Sequence, residues 1–141
     1  MPDKETIERA QEDEREGKAP STQAGEFVRE EMDHIREGKH GARSTKQAIA
    51  IGLSKARRAG VKLAPPAEGK ASAQTRKQAK RDSAKGRSGS GKAKIGKRKI
   101  SAKRSRAASK ALKREPRSAA SRQALSKQAK SAARSRRKRA A

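Results

Sequence analysis

The chain has no cysteine, tryptophan or tyrosine, and a single phenylalanine in 141 residues. Without cysteine neither a disulfide framework nor a thiolate metal site can form, and a reducing compartment is compatible. Without tyrosine or tryptophan there is no aromatic platform for base stacking, which argues against specific recognition of single strands. Hydrophobic residues make up 30% of the chain, too few to fold its whole length around one core. No apolar run approaches the roughly 20 residues that cross a bilayer, and the charged N-terminus has no signal-peptide segment. A soluble, cytoplasmic protein is expected. No glycine-rich phosphate cradle follows a strand pattern, no nucleophile elbow occurs, and carboxylates concentrate in the first 40 residues. Neither an enzyme nor a cofactor is expected.

What the chain has is positive charge: 40 Lys and Arg against 15 Asp and Glu, a net +25. Residues 1–40 hold twelve acids and seven bases, net −5, whereas residues 41–141 hold 33 bases and three acids, net +30. Such a segment attracts polyanions, because each phosphate it neutralises releases counterions. Nucleic acid is the expected partner, with DNA ahead of RNA.

One stretch, residues 44–63, is written as a complete helix. Ser44 and Gln47 stand at capping-box spacing, and Gly60 followed by Val61 reads as a left-handed C-terminal cap. Ile49, Leu53 and Ala56 share one face, and Ala48, Gly52 and Ala56 recur every fourth residue as a seam for close approach. Gln47, Ser54, Lys55 and Arg58 form the opposite face, with Ile51 unexplained among them. Upstream, Ala24, Phe27, Val28, Met32 and Ile35 line a second helical face that Ser21 or Thr22 can cap. The short loop 38–43 joins the two antiparallel, which predicts a helical hairpin over residues 21–66. Its few large apolar residues do not offset the ordering of its backbone. The first helix, a second copy of the chain in a homodimer, or nucleic acid is expected to help hold it.

The flanks are poorer in pattern. Residues 1–20 read as an acidic helical segment, solvated or fraying, with Ile7 and Ala10 as its only anchors. Residues 67–91 are a basic segment, in which 70–85 lack any large apolar residue and 86–91 read as a Gly/Ser linker. Residues 92–141 form a Lys/Arg/Ser/Ala-rich tail with Ile95, Ile100, Leu112 and Leu125 as its only larger apolar residues, and its short echoes keep no fixed period. Pro116 splits two Ala-rich runs and is expected to open the second. The fold class expected is mostly α: a small hairpin of two to three helices followed by a long basic tail, largely disordered or conditionally helical.

Candidate nucleic-acid contacts follow from this layout. Lys39, Arg43 and Lys46 cluster with His40 around the N-terminus of the central helix, whose free N–H groups and dipole favour a phosphate. Lys55 and Arg58 lie on its basic face. The tail adds Lys97, Arg98, Lys99, Lys103, Arg104, Arg106, Lys113, Arg114, Arg134, Arg136, Arg137, Lys138 and Arg139. A mobile tail reads the phosphate backbone and not base edges, which require side chains in fixed geometry. Ser101, Ser105 and Ser135 stand beside bases as candidate phosphorylation sites that would weaken such binding. His34 and His40, with Glu30 and Glu37 nearby, lack cysteine or a third placed ligand, and no metal site is expected.

Residues 25–66, GEFVREEMDHIREGKHGARSTKQAIAIGLSKARRAGVKLAPP, resemble a bacterial family of small, basic proteins of unknown function that share the KHG, QAIAIGLS and AR elements. That resemblance implies a bacterial origin and no particular chemistry. Residues 92–141 are similar in composition to linker-histone C-terminal tails and to histone-like basic proteins of some bacteria, but with one proline and no repeated SPKK-type element. The function expected from all this is a non-enzymatic, histone-like, nucleoid-associated protein that binds DNA without sequence preference. RNA or ribosome association is the alternative, and a scaffold that binds a protein through Ile51 is the third reading.

Overall fold

The computed structural model describes residues 2–88 and 101–141. Among them the chain forms α1 (Lys4–Arg15), α2 (Pro20–Arg36), α3 (Thr45–Arg58), α4 (Ala73–Arg87), α5 (Ala102–Arg114), a single 3₁₀ turn (Ser118–Ala120) and α6 (Arg122–Ala140). These elements divide into two compact units. The first comprises Met1–Glu30 and Ala50–Arg98, the second Glu31–Ile49 and Lys99–Ala141. Helices α2 and α3 each contribute to both. No helix among the described residues is long and apolar enough to cross a membrane.

The ends of α3 are made as its sequence specifies. Ser44 Oγ accepts from the Gln47 N–H at 3.2 Å, and Gln47 Oε1 accepts in return from the Arg43 N–H at 2.7 Å. At the other end Gly60 takes φ +103, its N–H donating to Arg57 O at 3.2 Å and that of Val61 to Ala56 O at 3.1 Å, the pairing of a Schellman cap. Helix α2 starts differently from expectation. It opens on Pro20, where the missing N–H has no intrahelical acceptor to lose, and not after a Ser21 or Thr22 cap.

In the first unit, Ala10, Ala24, Phe27 and Ala56 form the core, with Ile7, Leu53, Val61 and Leu63 packed around them. The small-residue seam of α3 is in use: a Cβ on Gly52 would lie 2.7 Å from Val28 Cα, so nothing larger than glycine fits unless α2 moves. Within residues 2–20, helix α1 is not solvated all round. Helix α1 buries Thr6, Ala10 and Asp13, and so supplies part of the support that the hairpin needs.

Helix α4 also packs on the hairpin, and the expectation that it is held by propensity alone is corrected by one residue. Asp82, with 1% of its surface exposed, accepts from Ser54 Oγ at 2.6 Å, Arg58 Nε at 2.8 Å and Gln78 Nε2 at 3.1 Å. Burial alone would raise the pKa of this carboxyl; the hydrogen bonds from Ser54 and Arg58, the Arg58 charge and the Gln78 bond outweigh it and hold Asp82 below the ordinary carboxylate value. The polar face of α3 is therefore a docking face. Ile51 lies on it, three and seven residues before Ser54 and Arg58, and is half-buried. The helix also runs through Gly86 to Arg87, where a linker was expected, because Gly86 packs against the Arg57 carbonyl; residues 89–91 of that linker lie outside the described residues. Arg57 itself is buried, donates to Leu63 O at 3.4 Å and Ala64 O at 3.2 Å, and has its pKa pushed down by desolvation against the opposing charge of Asp82.

The second unit overturns the expectation of a short hairpin with a long disordered tail. Residues 102–114 and 122–140 are α-helices, and the segment between them is docked. The docking is made largely by the main chain. The Gly41 N–H donates to Leu112 O at 3.0 Å and the Ala42 N–H to Pro116 O at 3.1 Å. Thr45 Oγ1 donates to Ala119 O at 2.6 Å, and Arg36 Nε to Ala120 O at 3.1 Å. Ala119 and Ala120 are buried, and a Cβ on Gly41 would collide with the Glu115 carbonyl. Alanine, lysine, arginine and glutamine are all strong helix formers, so once this joint is seated the runs on either side need only caps to persist. Pro116 does not open α6. Ser121 does, its Oγ accepting from the Ala124 N–H at 3.1 Å.

Candidate nucleic-acid interface

Within the second unit the N-termini of α3 and α6 meet at an open groove of about 790 Å³. Ser44 and Thr45 line it from α3, and Ser121, Arg122, Gln123 and Ala124 from α6. Each helix presents the positive end of its dipole there. Arg43, Arg122, Lys127 and Lys130 add four cations, and the lining contains no carboxylate. Glu115 bears on it through Arg43, its Oε1 lying 3.8 Å from Arg43 Nε; Arg43 is 82% exposed, so this long pair is weak.

From the groove a cationic stripe continues along α6. At 100° per residue, Lys127, Lys130, Arg134, Arg137 and Lys138 fall within an arc of roughly 100° and extend about 16 Å along the axis. Helix α5 carries the same spacing 24 residues earlier, in Lys103, Arg106, Lys110, Lys113 and Arg114. Neither helix contains a carboxylate, and among the described residues none of their cations forms an ion pair. Every residue of α5 except Leu112 is exposed. At 3.4 Å per base pair, one stripe spans about five base pairs of duplex.

The residues singled out from the sequence fall into distinct environments. Arg43 lines the groove, and Lys103, Arg106, Lys113 and Arg114 and Arg134, Arg137 and Lys138 belong to the two stripes. Arg104, Arg136 and Arg139 are exposed but project from other faces of their helices. Lys39 is exposed and pairs with Glu37 at 3.1 Å; Lys46 is exposed on the first turn of α3. Lys55 and Arg58, in the first unit, are neutralised internally, Lys55 by Glu30 at 3.2 Å and Arg58 by Asp82 at 2.8 Å. Lys97, Arg98 and Lys99 lie outside the described residues. Ser105 and Ser135 are exposed and off the stripes, and Ser101 precedes α5 without a side-chain cap bond. Sequence reasoning missed Arg122, Lys127, Lys130 and Lys110. The signal of Lys110, Lys127 and Lys130 is the 24-residue echo of the i, i+3, i+7, i+10, i+11 cation spacing, which has meaning only in a helical frame; Arg122 enters only through the groove.

Residues 15–68 are similar to the Family of unknown function (DUF6496). This match takes in α2, α3 and the loop between them and stops short of α4, α5 and α6. No curated protein and no solved structure matches the chain.

Proposed function

We propose that the protein is a non-enzymatic, non-sequence-specific nucleic-acid binder, acting on DNA in the nucleoid, and that its cations work from ordered helices and not from a loose tail. The repeated five-cation stripe on α5 and α6, unopposed by any carboxylate on either helix, carries this reading. A helix fixes where the cation stems start, so a row of phosphates meets a row of charges at lower ordering cost than a disordered chain would pay. The groove extends the α6 stripe with Arg43, Arg122 and two helix N-termini, a seat of the kind that accepts a backbone phosphate. Contacts of this sort position a protein on a duplex and carry no sequence information.

The test is a salt titration of binding to duplex DNA with the full chain and with a Lys127→Gln, Lys130→Gln, Arg134→Gln variant. At about 0.9 per phosphate contact, the magnitude of the log–log salt slope should fall by about 2.7. Circular dichroism checks that the variant keeps its helices, and an unchanged slope overturns the assignment. Competition between DNA and RNA duplexes of equal length decides the polymer: preferential retention of RNA would replace the DNA reading with the ribosome-associated one.

A further inference from the structure

We propose that Glu31, His34 and His40 form a binding site for a divalent transition-metal ion, zinc in the first place. One donor atom from each lies within 4.8 Å of the other two. Glu31 and His34 stand at i and i+3 near the end of α2, the spacing at which a carboxylate and an imidazole project from one helical face toward a shared ion. The sequence places Glu30 and Glu37 at similar separations from His34, but Glu30 is taken by the Asp3 N–H at 3.1 Å and Lys55 at 3.2 Å, and Glu37 pairs with Lys39. Glu31 is the carboxylate with an oxygen within 4.8 Å of a ring nitrogen of both histidines.

The third ligand comes from the loop beyond α2. His40 Nε2 lies 2.7 Å from Glu31 Oε1, and His40 Nδ1 lies 3.0 Å from Gly41 O. A carbonyl oxygen only accepts, so Nδ1 donates at that contact; the 2.7 Å contact between Nε2 and the Glu31 carboxylate likewise holds a proton, which leaves to solvent when Nε2 binds an ion. Anchoring Nδ1–H on a backbone carbonyl is how proteins orient a histidine whose Nε2 binds a metal. The two rings stand nearly perpendicular, at 81° with centroids 6.2 Å apart. The Glu31 side chain is 1% exposed and that of His40 15%, so the site is sheltered yet open to solvent on one side. Tetrahedral ligands at bonds of about 2.0 Å stand about 3.3 Å apart, so the Glu31–His40 contact has to open by about 0.6 Å, within the reach of a small side-chain rotation. Two imidazoles and a carboxylate, in a chain without thiols, suit zinc, nickel or copper and leave a fourth position for water. The ion would fasten the end of α2 to the loop whose Gly41 and Ala42 hold the docked segment.

The experiment uses the untagged, metal-stripped full chain, titrated calorimetrically with zinc chloride and followed by visible absorption with cobalt(II). The expected result is one equivalent bound, the d–d bands of a low-coordinate cobalt site, and a higher Tm with zinc. His34→Gln leaves the Glu31–His40 pair in place and should weaken zinc binding at least tenfold, as should Glu31→Gln. Absence of one-to-one binding by the unaltered chain, or equal affinity in the chain and in His34→Gln, overturns the site.

Discussion

Helices α4 and α5 each carry six Lys and Arg side chains, over 15 and 13 residues, and put them to different uses. Helix α4 has one carboxylate, Asp82, and that group fastens it to Ser54 and Arg58 of α3. Helix α5 has none, and all its cations remain exposed. The contrast extends to the units that contain them. In the first, Arg9 meets Glu26 at 2.7 Å, Lys18 meets Asp13 at 2.7 Å, Lys55 meets Glu30 at 3.2 Å and Lys62 meets Glu14 at 3.3 Å. In the second, the acids other than Glu115 all lie between Glu31 and Glu37, and Glu115 is the only Asp or Glu of residues 101–141. Charge of one sign therefore builds structure where acids are interleaved with it, and forms an external face where they are withheld.

The largest test of this contrast removes the carboxylate. Asp82→Ala leaves Arg58 and Ser54 without their acceptor and should cost about 3 kcal/mol in urea unfolding, the low end for a broken buried pair because Arg58 is half exposed and regains water. Hydrogen exchange should show α4 losing protection while the salt slope for DNA stays as it was; a falling slope would mean that the two roles of charge are not separate. The same group sets a pH dependence. Because the folded-state pKa of Asp82 is depressed, its stabilisation is fully present above the ordinary value of about 3.9 and is lost as pH falls through the lower folded value. Asp82→Asn should flatten that acid limb.

A second test unseats the basic helices without touching a cation. Gly41→Ala drives a methyl into the Glu115 carbonyl and should cost about 2 kcal/mol, with exchange protection lost at the Gly41 and Ala42 amides and a shallower DNA salt slope. Undiminished protection and slope would show that the docked joint is not what orders the tail. The smallest effect is expected from Ser121→Ala, which deletes the cap of α6 at a cost of about 1 kcal/mol, read as faster exchange in its first turn. No change there would remove the serine from the account of how α6 begins.

Much of the hairpin was legible because its signals are local and side-chain encoded: the Ser44 and Gln47 cap, Gly60, Phe27 and the Gly52 seam each have one strong reading. The docking of α4 was harder. Its signal is a lone acid in a basic stretch, and whether Asp82 finds Ser54 and Arg58 depends on tertiary placement that no local pattern states. The order of the tail was not legible at all by hydropathy. The joint between α5 and α6 is held by the carbonyls of Leu112, Pro116, Ala119 and Ala120 and buries only alanines, so nothing in residue type distinguishes it from a solvated linker. Around the groove, Arg43 was found from its place before a capped helix, whereas Lys127 and Lys130 needed α6 itself before they became neighbours of it.

Seating the tail through its carbonyls also separates two quantities that most folds bind together. A joint that reads peptide groups is indifferent to the side chains flanking it, so the lysines and arginines of α5 and α6 can be exchanged, thinned or multiplied while the path of the chain stays the same. Electrostatic strength becomes an adjustable dial on a fixed frame, open to graded variation in nature or by design.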